Sequence, residues 1–271
     1  MLCMLLALIP DNAAPSFWQR VYDYALIAFT FDFGYSTQFN EEIPALIFER
    51  AMNTFLLLVL SVVIALIICI PAGVIAGLSK NSKIQSLLSY PLYFLSTIPV
   101  LLWGTLFVFL MFLLLGTNLQ FIDLYNADLY DTFLIISLPV LALTIGDGML
   151  YDMYKAVRDE VVNIYSEPWI KGLKSRGRTI SGHISRGLVE PLFTAVSSKL
   201  TYLISGAIVV EFIFSWEGIG LLLFDAISVP GQKDYPVIIA IVLVFILLVI
   251  VTTIIKQFLN LYLNPQLREN R

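Results

Sequence analysis

The sequence predicts an all-α integral membrane protein, a polytopic bundle of five full spans preceded by a truncated first helix. Three observations predict it. Of 271 residues 59% are hydrophobic and 13% charged, against about 25% charged in soluble domains, and the mean hydropathy is +0.86. Five apolar stretches are long enough to cross a bilayer. Lys and Arg are sharply segregated between the segments that join those stretches. The same composition excludes several classes. A net charge of −4 gives no concentrated basic face for nucleic acid. Cys3 and Cys69 sit in apolar runs and supply neither a disulfide framework nor a thiolate cluster, and His183, the single histidine, cannot build a histidine metal site.

A helix needs about 20 mostly apolar residues to cross roughly 30 Å of hydrocarbon. Residues 53–78, 87–115 and 236–255 meet that requirement without a charge. Residues 133–153 meet it with Asp147 and Asp152, and residues 192–214 with Lys199 and Glu211. The opening MLCMLLALIP is apolar but would rise only about 15 Å as a helix. No basic residue precedes it, as a signal peptide would require, so it is read as a truncated first span rather than as an interfacial helix or a leader. Prolines 71, 91, 99, 139 and 191 open or interrupt the spans, and Gly73 with Gly77 forms a small-xxx-small face.

Basic loops near spans stay in the cytoplasm. Lys80 and Lys83, then Lys155, Arg158, Lys171, Lys174, Arg176, Arg178 and Arg186, then Lys256, Arg268 and Arg271 all fall on one side, opposite Arg20, Arg50 and Lys233. Charge and parity therefore put the C-terminus and the basic loop at 156–190 in the cytoplasm, and residues 11–50 outside.

The chain carries no HExxH, no GxSxG and no second histidine for a catalytic set, so it is not read as an enzyme. GLKSRGRT at 172–179 approaches a phosphate-binding loop, but YSEPWIK precedes it where a buried strand is needed. Pro168 and Trp169 mark a helix start instead, so any ATP is bound by a partner. Charges inside a span cost about 2.5 to 3.5 kcal/mol each at its centre and call for a partner or a water path. Asp152, close to Lys155 and Arg158, fits a paired or snorkelling carboxylate. Asp147, between Gly146 and Gly148, fits a polar cavity on a translocation path or packing against Lys199. Glu211 fits a structural hydrogen bond or a gating role on that path.

The order of several motifs carries more. FDFGYS at 31–36 is followed by IFERAMNTFLLL at the first full span and IPAGVIAGL at 70–78. Then come WIKGLKSRGRT at 169–179, His183, Arg186 and Pro191, VVEFIFSWEGIG at 209–220, DYP at 234–236 and NPQLR at 264–268. From about residue 31 to the end the chain resembles the B-type permease subunit of the oligopeptide, dipeptide and nickel class of ABC importers. The FSWxGIG element after VVE resembles the B-type rather than the C-type subunit.

That resemblance implies a single permease domain over residues 1–271 in a bacterial inner membrane. It implies a C-type permease as heterodimer partner, two cytoplasmic ATPase subunits that use ATP and Mg, and an external solute-binding protein that delivers peptides. It further implies that this chain binds no cofactor of its own. The segment 169–186 aligns with the family's EAA loop and its coupling helix, so Trp169, Lys171, Gly172, Lys174, Arg176, Gly177, His183 and Arg186 would transmit the ATPase stroke. Three departures stand out: a loop about one helical turn shorter between Thr179 and His183, Glu217 where the family commonly has proline, and a small insertion at 228–233. Two other classes remain open at this point: an ATP-independent secondary transporter or channel that uses Asp147 and Glu211, and a membrane scaffold that no longer transports.

Overall fold

The computed structural model describes residues 33–36, 38–115, 129–175, 184, 187–228 and 234–263. Nine α-helices order the described residues: α1 (Ile43–Leu78), α2 (Ser82–Thr97), α3 (Val100–Leu115), α4 (Leu129–Ile145), α5 (Met149–Ser166), α6 (Pro168–Ser175), α7 (Val189–Phe214), α8 (Ile219–Ser228) and α9 (Tyr235–Leu263). The only pairing of β type among those residues is an isolated bridge between Tyr35 and Glu42. The all-α membrane fold is as expected. Four helical stretches are long and apolar enough to span, and α2 with α3 makes a fifth if the bent pair counts as one.

The second expected span, residues 87–115, is not one continuous helix. α2 and α3 meet at 92°, because Pro99 drives Ile98 into an extended conformation (ψ 127°). Pro71, in contrast, sits inside the unbroken α1. At 36 residues α1 is about 54 Å long, so it projects beyond the bilayer and takes up the end of the 11–50 segment. The third expected span, residues 133–153, also breaks. Asp147 adopts φ 54° and Gly148 φ 82°, and the Gly146–Gly148 turn separates α4 from α5. The truncated first helix lies outside the described residues.

α1 and α5 pack with almost no side chain between them. A Cβ on Gly73 would stand 2.6 Å from Val157, and one on Gly77 2.7 Å from Val161. The small-xxx-small face is thus the seat of α5, whose buried Met153, Val157, Val161 and Ile164 follow helical spacing. Below it, Val157, Val161, Ile164, Ile170, Ile184 and Leu188 form a compact apolar cluster with Ile70 and Val74 of α1. A second cluster binds the start of α1 to α8 and α9 through Ile43, Leu46, Leu222 and Ile241.

Candidate functional site: a polar wall on α7 and the two breaks beside it

Three spans turn greasy faces outward: Phe55, Val59, Val63 and Ile67 on α1, Leu102, Leu106, Phe109 and Leu113 on α3, and Leu247, Ile250, Val251 and Ile254 on α9. α7 does the opposite. Between Glu190 and Glu211 each of its exposed residues carries a hydroxyl: Thr194, Ser198, Thr201, Tyr202 and Ser205. Their spacing of four, three, one and three residues keeps them on one face. Ser198 and Ser205 bond back to the carbonyls of Ala195 and Thr201, at 2.8 and 3.1 Å, which softens their cost in a membrane without making the face apolar.

Beside this row the two breaks of the fold interlock. The Val100 amide, left without a helical acceptor at the start of α3, donates to Asp147 Oδ1 at 3.3 Å. Ser96 Oγ accepts from the Tyr151 amide at 3.1 Å, so α2 caps α5 in return. Gly146 permits the approach, since a Cβ there would lie 2.8 Å from Val100 Cα. Lys199 of α7 closes the node. Its Nζ pairs with Asp152 Oδ2 at 2.6 Å, donates to the Asp147 carbonyl at 3.3 Å, and stands 5.3 Å from the centre of the Tyr202 ring. A shallow recess there is lined by Leu143, Gly146, Asp147, Met149, Lys199, Tyr202 and Leu203.

Glu211 occupies a different environment. It is fully buried. Oε1 accepts from Thr54 Oγ1 at 2.7 Å, and Oε2 accepts from the amides of Gly220 and Leu221 at 2.6 and 3.3 Å. Thr54 Oγ1 in turn accepts from the Ile219 amide at 2.9 Å. The carboxylate therefore caps the N-terminus of α8, where the helix dipole favours a negative group. Side chains would block it: a Cβ on Gly218 would fall 2.3 Å from the Glu211 carboxyl carbon. Trp216 Nε1 donates to the Asn53 carbonyl at 3.1 Å, Asn53 Nδ2 donates to the Glu217 carbonyl at 2.8 Å, and Arg50 pairs with Glu217 at 3.0 Å. Further along, Ser36 Oγ donates to Asp234 Oδ2 at 2.7 Å, and Asp234 also holds the Val237 amide of α9 at 3.4 Å. Asp225 of α8 is held above the usual carboxylate range by burial, partly offset by the Arg50 guanidinium.

Residues 69–269 match the family described as binding-protein-dependent transport system inner membrane component. The chain belongs to that family. Among similar proteins are the oligopeptide transport system permease protein AppB of Bacillus subtilis, 28% identical over 87% of this chain and 76% of the relative. The metal-staphylopine import system permease protein CntB of Staphylococcus aureus is 26% identical over 91% and 76%. The glutathione transport system permease protein GsiC of Escherichia coli K12 is 27% identical over 93% and 79%. This inner membrane component is thus a multi-pass transport subunit of the class its motifs resemble.

The expected coupling residues are placed in part. Trp169, Lys171, Gly172 and Lys174 lie on α6, which starts at Pro168 and is anchored by the buried Ile170. Trp169 is exposed, and a Cβ on Gly172 would meet open space. Arg176, Gly177, His183 and Arg186 lie outside the described residues. Of the intramembrane charges, Asp152 pairs with Lys199 across the helices rather than with Lys155 or Arg158, and Arg158 instead pairs with Asp159 at 2.7 Å. Asp147 is exposed beside the hydroxyl row. Lys199 had no site role in the sequence reading. The available signal was its standing as the one cation within the five expected spans, three residues before a tyrosine. Among the described residues no group of three or more His, Cys, Asp or Glu can hold a metal.

Proposed function

We propose that this chain is the B-type permease subunit of an ATP-driven ABC importer that admits peptides delivered by an external solute-binding protein. Hydrolysis takes place in two partner ATPases. The observation that carries the transport reading is the hydroxyl row of α7, with Asp147 and the Lys199–Asp152 pair beside it. Polar and charged groups at mid-span are expensive against lipid, so such a face belongs against water, solute or a polar partner. A C-type permease opposite α7 completes the path. Names of relatives that include oligopeptide and glutathione systems support peptide cargo.

On this reading the C-terminus, α6 and the 156–190 loop are cytoplasmic. Trp169, Lys171, Gly172, Lys174, Arg176, Gly177, His183 and Arg186 meet the ATPases. The cluster around Ile170 carries the stroke into α5, and the Gly73 and Gly77 contacts carry it into α1. Asp147 lines the path. Glu211 holds the α7–α8 corner that bounds the path outside, so its gating contribution is to keep that corner rigid.

Purification of this chain in mild detergent with identification of its companions tests the reading. A second permease and two ATPases are the expected companions. Recovery of the chain alone, or as a homo-oligomer, points to the secondary transporter or channel instead.

A further inference from the structure

We propose that Lys199 and Asp147 form a charge-complementary contact for zwitterionic solutes, Lys199 taking a terminal carboxylate and Asp147 a terminal ammonium. The inference rests on the reading of α7 as a path wall and adds the chemistry that the wall recognises.

Both groups sit at mid-depth. Lys199 lies ten residues into α7, about 15 Å along its axis, and Asp147 occupies the turn between α4 and α5. The Lys199 side chain is only 18% exposed, while its partner Asp152 is 46% exposed. The ammonium group is thus desolvated on one side and held by groups that can be exchanged: one half-exposed carboxylate and one carbonyl at 3.3 Å. An incoming carboxylate can replace Asp152 on Lys199 without leaving a buried charge alone, because Asp152 returns to water.

Asp147 is suited to the other end. One oxygen, Oδ1, holds the Val100 amide by a long 3.3 Å bond. The other, Oδ2, holds no hydrogen bond among the described residues and lies alongside Gly206 of α7, at van der Waals distance (3.6 Å) from where a Cβ would stand there. The αL backbone of Asp147 (φ 54°) and the glycines on both sides keep this carboxylate on the exposed rim of the recess that Lys199 lines. Opposite charges thus flank one recess, and the hydroxyls of Thr201, Tyr202 and Ser205 continue the wall with groups able to bond amides between the two ends. A cargo without a carboxylate gives Lys199 nothing in exchange for Asp152, and a cargo without an ammonium leaves Asp147 unpaired, whereas a zwitterion satisfies both.

The test is equilibrium binding of tritiated trialanine to the complete complex in nanodiscs with the binding protein left out, with N-acetyl-trialanine and trialanine amide as competitors. Both blocked peptides should compete about fivefold more weakly than trialanine, the scale of one partly exposed charge pair. Lys199→Gln should abolish the penalty for the amide alone and Asp147→Asn the penalty for the acetylated peptide alone, while Lys199→Arg retains wild-type discrimination. Absence of saturable binding, equal competition by all three peptides, or variants that weaken all three alike would overturn the proposal. ATP-driven trialanine uptake by the same complex with its binding protein separates the two levels. Uptake without this discrimination sinks the charge contact alone, and loss of all ATP-driven uptake sinks the transport reading with it.

Discussion

Thr54 of α1 donates to one oxygen of Glu211 on α7 and accepts from the amide of Ile219 at the start of α8, so one hydroxyl ties three helices together. Its environment is buried, and each partner would be left unsatisfied without it. Thr54→Val keeps the shape and removes both bonds. It should cost about 2 to 4 kcal/mol, the penalty for stranding a buried carboxylate oxygen and an amide. Glu211→Gln, which keeps an acceptor, should cost less than Glu211→Ala. Thermal unfolding of the detergent-solubilised protein reads this order, and a Glu211→Ala protein as stable as wild type would remove the cap from the account.

The α1–α5 seat makes a second prediction. Gly73→Val places a branched side chain where Val157 already stands 2.6 Å from a Cβ position. Overpacking of that kind costs about 1 to 3 kcal/mol and pushes the helices apart. The expected result is a lower melting temperature and weaker retention of the ATPases on purification, because α5 carries α6. Unaltered retention would mean that α6 is positioned without this contact.

Asp147 separates backbone from side chain. Asp147→Gly should leave thermal stability near wild type, since glycine adopts φ 54° freely and the side-chain bond lost is long. Asp147→Val should cost at least about 1 to 2 kcal/mol, because a β-branched residue resists the left-handed region. Equal stability of the two variants would show that the turn opens readily.

Arg50 and Glu217 form an ion pair at 3.0 Å. Glu217 is 68% exposed, so the pair is screened. Glu217→Ala should change stability by less than about 1 kcal/mol, and a larger loss would assign the corner to this pair rather than to Glu211.

How much of this was legible in the sequence follows from the range of each interaction. Hydropathy over twenty residues marks the spans because lipid acts on each stretch separately, and the basic segment around Ile170 shows instead in its Lys and Arg residues and the Pro168–Trp169 helix start. Pro99 was visible, but Pro71, Pro91 and Pro139 lie inside helices that continue. At Pro99 the extended Ile98 ends α2, and the Asp147 turn, distant in sequence, receives the freed Val100 amide at the bend. Lys199 and Asp152 were both recognised as costly charges, yet 47 residues separate them, and their pairing depends on α7 crossing α5. FGYS and DYP were recognised as motifs, whereas the bond from Ser36 to Asp234 that joins them spans 198 positions. The hydroxyl row was open to a helical-wheel reading, but its exposure depends on which faces the other spans cover.

Uptake into proteoliposomes that hold the complex purified through this chain asks whether separate ATPases drive solute through it. Solute supplied with the binding protein on the outer face should accumulate only when ATP is present on the cytoplasmic face. Uptake that needs no ATP and follows an imposed ion or proton gradient would contradict the account.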